Sequence, residues 1–246
     1  MNLLSVDIGN TSISFGISKP NRIINTFYIP TSEYSFYRLK QRLKGIFIDD
    51  AVICSVVPCQ TNKLKKDIKR LSGKDPYIIG KDIRVPIKNL YRDPKQVEED
   101  RLVNAYAALR LYGLPVIAVD FGTAVTFDVI SKKGEYLGGM ILPGLKISLE
   151  ALNKRTALLP KVDLKKPDGF IGRDTENSML SGIVYGFSSL TDNLVMRIKK
   201  LIGNARVIAT GGNSKFIGRY CASLDAVDTN LTLKGLAMLY CYKKNT

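Results

Sequence analysis

Leu3, Leu4 and Val6 run into Asp7-Ile8-Gly9-Asn10-Thr11, after which Ile13, Phe15 and Ile17 alternate with Ser12, Ser14, Gly16 and Ser18. Alternation of period two on either side of a polar bend carrying a glycine predicts strand, tight turn and strand. The same pattern returns later. An apolar run at 116–119 leads to Asp120-Phe121-Gly122-Thr123-Ala124-Val125-Thr126, and Val125, Phe127 and Val129 then alternate with Thr126 and Asp128, Ile130 being the apolar exception. Two such copies predict two related halves, 1–114 and 115–246.

Between the copies, residues 22–29 read as a third strand ended by Pro30, and Thr31-Ser32-Glu33 reads as the cap of a helix reaching Leu43. A buried strand at 51–57, stopped by Pro58, precedes a helix at 61–71. Residues 75–95, rich in proline and turn formers, read as a loop with one short strand, and a stretch of that length is usually either functional or mobile. The next helix, 97–112, is expected to bury Leu102, Ala105, Tyr106 and Leu109, with Glu98, Glu99 and Asp100 in its first turn, where carboxylates complement the helix dipole.

In the second half, Gly138-Gly139 and Pro143-Gly144 punctuate a strand leading to a helix at 145–152. Residues 153–173 read as loop. A long helix at 177–201 follows, in which Gly182 and Gly186, four apart, predict close packing against another element. A strand at 206–209 ends in Thr210-Gly211-Gly212-Asn213, and Thr229 to Thr232 cap a last helix. The order is that of a mixed α/β fold.

Composition narrows the chemistry. Across 246 residues, 45% are apolar and 24% charged, the balance of a soluble globular protein long enough for one large domain or two. No apolar run approaches a membrane span and no secretory signal is evident, so a cytoplasmic location without membrane contact is expected. The chain has no histidine, which excludes Ser-His and Cys-His catalysis, and its four cysteines lack paired spacing for zinc. A general base must then be a carboxylate, lysine or tyrosine. The net charge of +15 favours acidic partners such as nucleotides or anionic metabolites. Its densest stretch, Lys63 to Arg70, interleaves with Leu64 and Ile68 at helical spacing, so a solvated helix face explains it better than a nucleic-acid patch, and no nucleic-acid partner is expected.

Neither a Walker A sequence nor a GxGxxG is present. A strand-end Asp-x-Gly turn is a different phosphate device: the glycine lets the chain bend, the amides and hydroxyls of Asn10, Thr11 and Ser12 face a phosphate, and the aspartate can hold hydrated Mg²⁺. Two such hairpins could grip a triphosphate from both sides.

At these positions the chain resembles the type III pantothenate kinases of the acetate and sugar kinase, Hsp70 and actin superfamily. The resemblance takes in Asp7 to Thr11, Ser55-Val56-Val57-Pro58, Asp100-Arg101, Asp120 to Thr126, Gly138-Gly139 with Pro143-Gly144, Thr175 with Ser178-Met179, and Thr210-Gly211-Gly212. It implies two ribonuclease H-like (actin-like ATPase) domains with mixed sheets flanked by helices, ATP in the cleft between them, and phosphorylation of pantothenate, the first step of coenzyme A biosynthesis. It further implies a homodimer that needs Mg²⁺ and a monovalent cation, K⁺ or NH₄⁺. Carried onto this chain, Asp7, Ile8, Gly9, Asn10, Thr11, Ser12, Ile13 and Ser14 would hold the ATP phosphates, with Asp7 on Mg²⁺ through water. Thr123 would touch ATP and Asp120 would bind the monovalent cation. Tyr91, Glu98, Glu99, Asp100, Arg101 and Thr175 would face pantothenate, with Asp100 as proton acceptor.

One position departs from the family pattern. Where the family's acceptor loop usually reads Gly-x-Asp-Arg, this chain has Glu98-Glu99-Asp100-Arg101, which adds a side chain and a negative charge near the acceptor's carboxylate. Glu98 turned to solvent is the expectation, since a helix's first turn accepts acidic residues readily. A kinase for a different small hydroxylated acceptor, or a nucleotide-binding regulatory protein of the same fold, are the alternatives.

Overall fold

The computed structural model describes residues 1–19 and 22–245. In chain order the strands are β1 (Leu3–Ile8), β2 (Ser12–Lys19), β3 (Arg22–Pro30), β4 (Asp50–Ser55), β5 (Tyr77–Ile78), β6 (Lys88–Asn89), β7 (Val116–Phe121), β8 (Ala124–Ile130), β9 (Glu135–Pro143), β10 (Arg206–Thr210) and β11 (Ala226–Val227). The helices are α1 (Phe36–Arg42), α2 (Pro58–Ser72), α3 (Glu99–Tyr112), α4 (Leu145–Arg155), α5 (Thr175–Ile202), α6 (Ser214–Ile217) and α7 (Leu231–Asn245).

Two sheets form, in the orders β3-β2-β1-β4-β5 and β11-β10-β7-β8-β9-β6. In the first, β1 is antiparallel to β2, β2 to β3, and β1 runs parallel to β4. In the second, β7 is antiparallel to β8, β8 to β9, and β7 runs parallel to β10. The duplication read from the two Asp-x-Gly turns is therefore a duplication of topology, and the extra strand β6 pairs parallel on the far side of β9.

The compact units do not follow a single cut near residue 114. The first comprises residues 1–87, 92–107 and 230–246, and the second 88–91 and 108–229. Helix α7 belongs with the first sheet because its apolar face, Leu233, Leu236, Leu239 and Tyr240, packs with Leu3, Val52, Cys54 and Val103. A side-chain carbon on Gly235 would lie 2.8 Å from Val103, so the glycine lets α7 close onto α3. At its far end Tyr240 donates to buried Asp50 at 2.7 Å, and Lys244 Nζ lies 3.3 Å from the same carboxylate. The opposite face of this sheet is covered by α1 and α2 through Leu39, Leu43, Leu64 and Ile68. Burying each such side chain contributes roughly 1.5–3 kcal/mol. In the second unit, Ile117, Val119, Phe121, Val125, Phe127 and Val129 pack beneath α4 and α5.

Several boundaries differ from the sequence reading. Thr31–Glu33 is a 3₁₀ turn, and α1 starts later, with Ser35 accepting the Arg38 N–H. Pro58 opens α2 at its first turn, where a proline loses no hydrogen bond. The 75–95 stretch carries two short strands, β5 in the first sheet and β6 in the second. On α3 the buried residues are Val103, Ala105, Tyr106, Ala107 and Ala108, while Leu102 and Leu109 are half-exposed. Gly182 and Gly186 face open space, not a packed neighbour.

Candidate active site

In the first unit, Asp7 stands at the penultimate position of β1, in register with Ser14 of β2 and Cys54 of β4. The bend that follows is closed by the Gly9 N–H donating to the Ser12 carbonyl at 3.0 Å. Asn10 and Thr11 are exposed, Ser12 and Ser14 half-buried, and Ile8 and Ile13 lie in the core. The polar groups of the segment thus sit outside an apolar anchor. Thr31, from the end of β3, fixes this bend: its hydroxyl donates to the Gly9 carbonyl at 2.8 Å and its N–H to the Thr11 carbonyl at 3.0 Å. The sequence reading took that threonine for a helix cap; its chemistry serves the turn instead.

Beside Asp7, on β4, lies Cys54, fully buried. Burial pushes its thiol well up, reinforced by the negative charges of Asp7, Asp100 and Glu99. One thiol that senses all three carboxylates means that the strand-end aspartate and the first turn of α3 share a neighbourhood within this unit. Asp100 accepts the Arg101 N–H at 2.8 Å, and Arg101 itself is only 4% exposed. Glu99 is tucked onto the Gly80 turn, where a side-chain carbon would fall 2.6 Å from its Oε1, and burial raises its carboxyl. Glu98 precedes the helix and is exposed, its carbonyl accepting the Arg101 N–H at 3.2 Å. Next to the bend, Thr61 donates to Ser55 Oγ at 2.7 Å and the Val56 N–H to the Ile8 carbonyl at 3.1 Å, tying the start of α2 to the end of β1.

In the second unit, half-buried Asp120 stands at the penultimate position of β7, opposite Thr126 and Thr210. Three glycines crowd the turn. A side-chain carbon on Gly211 would lie 2.2 Å from Asp120 Oδ1, one on Gly122 3.1 Å from the same oxygen, and one on Gly144 2.1 Å from the Thr123 carbonyl. The Gly144 N–H donates to that carbonyl at 3.1 Å, and the Asn213 N–H to the Phe121 carbonyl at 3.0 Å. Thr123 is exposed. Tyr91, following β6, is half-buried, with its ring 3.5 Å from where a side-chain carbon on Gly138 would stand. Thr175 opens α5 and lines a pocket of about 620 Å³ with Leu152, Leu159, Arg173, Ser178 and Met179. The sequence reading missed Asp128, a fully buried carboxylate that accepts from Tyr136 at 2.7 Å and from Thr126 at 3.3 Å. The alternation along β8 was its only signal.

The family model for type III pantothenate kinase matches residues 3–197. This chain belongs to the type III pantothenate kinases. A type III pantothenate kinase of Geotalea uraniireducens is 41% identical over 255 residues, spanning 99% of this chain and 100% of the relative. Among solved structures, a Campylobacter jejuni protein described as a Baf-family transcriptional activator aligns with a TM-score of 0.62 at 19% identity, over 99% and 100% of the two chains. A Listeria monocytogenes protein described as an N-acetylmannosamine kinase gives 0.57 at 14% identity over 100% of both. At such identities these two likenesses show the fold alone, that of actin-like ATPases and sugar kinases, with two ribonuclease H-like sheets flanked by helices. Membership of the family makes the chain a kinase that uses ATP. No helix among the described residues is long and apolar enough to cross a membrane.

Proposed function

We propose that this kinase transfers the γ-phosphoryl group of ATP to the primary hydroxyl of pantothenate, giving 4′-phosphopantothenate in the first step of coenzyme A biosynthesis. Family membership carries the reaction. The observation that supports its chemistry on this chain is the shared neighbourhood of Asp7 and Asp100 about Cys54. Phosphoryl transfer asks for positioning and charge neutralisation more than covalent chemistry. The exposed amides and hydroxyls of the Gly9 bend bind phosphate oxygens, held in place by Thr31 from behind. Asp100 takes the proton as the acceptor's hydroxyl oxygen attacks the γ-phosphorus and the bond to the bridging oxygen of ADP breaks. In a chain without histidine, a carboxylate in this place is a sufficient base.

No group of three or more acidic, cysteine or histidine residues among the described residues could cage a metal. Mg²⁺ keeps several waters and needs one carboxylate beside the substrate's phosphates, and Asp7 is the residue that would hold it. The ion neutralises phosphate charge when bound. Asp120, against the backbones of Gly211 and Gly122, fits K⁺ or NH₄⁺. Glu98 points its charge to solvent and leaves pantothenate as acceptor, with Tyr91, Glu99, Arg101 and Thr175 contributing to its site. The enzyme works in the cytoplasm as a homodimer. Open space over Gly182 and Gly186 and the exposed Leu158, Phe170 and Ile171 of the same unit support the dimer, for which sedimentation should give twice the chain's mass.

The test is ATP-dependent formation of 4′-phosphopantothenate by the purified protein with Mg²⁺, in K⁺ or Na⁺. Product formation that K⁺ stimulates is expected, and Asp100→Asn should lower kcat by roughly 10²–10⁴. Absence of product with ATP bound overturns the acceptor, and wild-type rates in the variant overturn the base.

A further inference from the structure

We infer that Tyr28 is a phosphate-binding residue of this kinase, its phenol donating to a β-phosphate oxygen of the nucleotide on the side of Asp7 away from Asp100. The inference rests on the reading of the Gly9 bend as the phosphate site and extends it to a residue that reading leaves aside. Strand register puts Tyr28 there. It stands opposite Ser14, Ser14 opposite Asp7, and Asp7 beside Cys54, so β3, β2, β1 and β4 contribute one row of side chains to a single face of the first sheet. With neighbouring strands about 4.8 Å apart, Tyr28 lies two strands and about 10 Å from Asp7.

Burial on this face stops one row short of the bend. In the row behind, Ser5 is 1% exposed, and its partner Gly16 lies under Leu233 of α7, 3.2 Å from where a side-chain carbon on the glycine would stand. In the row of Tyr28, Asp7 and Ser14 are half-buried and Tyr28 is 69% exposed. Its phenol has no hydrogen bond among the described residues. Helix α7 therefore covers β1 and β2 as far as Ser5 and Gly16 and leaves a ledge that carries the hydroxyls of Tyr28 and Ser14 and the carboxylate of Asp7.

That ledge is fixed relative to the bend. The neighbours of Tyr28 anchor its strand from the opposite face: Phe27 stacks on Phe15 with ring centroids 4.8 Å apart, and Ile29 is 3% exposed. Just past the strand, Thr31 ties the chain to the Gly9 and Thr11 carbonyls. Little ordering of the tyrosine's backbone then remains to be done when a ligand arrives. The row also has a direction, for Asp100 shares the neighbourhood of Cys54 at one end and Tyr28 is the other end. In-line transfer sets the attacking and leaving oxygens on opposite sides of the γ-phosphorus. With the acceptor's hydroxyl at Asp100, the departing ADP lies toward Tyr28, where a phenol meets the oxygens that gain negative charge as the bridging bond breaks.

The experiment measures ADP and ATP affinity by calorimetry, the denaturant midpoint and the turnover of pantothenate, in the wild type and in Tyr28→Phe. Loss of one hydrogen bond to a charged oxygen should weaken ADP and ATP alike by about tenfold, with the midpoint unchanged. Affinities equal to the wild type overturn the inference, and so does a loss that comes with a lowered midpoint. Weakening of ATP alone moves the contact to the γ-phosphate and overturns its place on the leaving side. In each of these cases wild-type turnover keeps the functional reading intact, whereas a wild type that binds neither nucleotide overturns both.

Discussion

Asp7 and Asp120 end equivalent strands of two sheets with the same topology, yet the turns that follow them are built differently. The Gly9 bend is open: a side-chain carbon there would meet the Ser12 carbonyl at 3.2 Å, and Asn10 and Thr11 are exposed. Thr31 supports it through the Gly9 and Thr11 carbonyls. The Asp120 turn is enclosed, with Gly211 backed onto the carboxylate and Phe121, and Gly144 onto the Thr123 carbonyl. On the proposed function, one supersecondary device would supply two services. On the same reading, an open bend with Asn10 and Thr11 exposed would receive a polyanion, whereas an enclosed carboxylate would keep the fixed position that a weakly held cation requires.

Exchanging charge for amide at the two aspartates separates these services and should give the largest effects. Asp7→Asn should lower kcat/KM for ATP by on the order of 10²–10³ whichever monovalent cation is present. Asp120→Asn should instead bring the rate in K⁺ down toward the rate in Na⁺, so that cation dependence, more than activity in Na⁺, is what disappears. Steady-state rates across a Mg²⁺ and a K⁺ titration read both. If Asp120→Asn keeps its full K⁺ stimulation, the division of labour between the turns is wrong.

The hairpins were legible because everything that specifies them is local: period-two alternation, an aspartate at the strand end and a glycine at the bend. Their recurrence also revealed the duplicated topology. The partnership of α7 was not legible. Its amphipathic pattern promises a buried face without naming the sheet that buries it, and the contacts that decide the matter, Tyr240 with Asp50 and Gly235 with Val103, join residues far apart in sequence. Thr31 misled for a related reason, since a threonine ahead of a helical pattern looks like a cap whether its hydroxyl serves the helix or an earlier turn. Gly182 and Gly186 show a similar limit: spacing marks a face made of small residues, but the face is open in this chain. As for the acceptor side, Asp100 and Thr175 stood out by resemblance.

Glycine replacements give smaller effects and test the enclosure itself. Gly211 has φ +88°, a conformation costly for other residues, and an added side-chain carbon would press on Asp120 Oδ1 at 2.2 Å and on the Phe121 backbone at 2.7 Å. Backbone strain and overpacking together should make Gly211→Ala lose on the order of 3 kcal/mol or more. At Gly212, next in sequence, nothing stands within 4 Å of such a carbon, so Gly212→Ala should stay within about 0.5 kcal/mol of the wild type. Gly9→Ala should fall between them, at about 1 kcal/mol or less, because one carbonyl at 3.2 Å can yield by a few tenths of an ångström. Denaturant midpoints at constant m give the order. A loss at Gly9 as large as that at Gly211 would mean that the first turn is enclosed too, and the contrast between an open phosphate bend and a walled cation site would collapse.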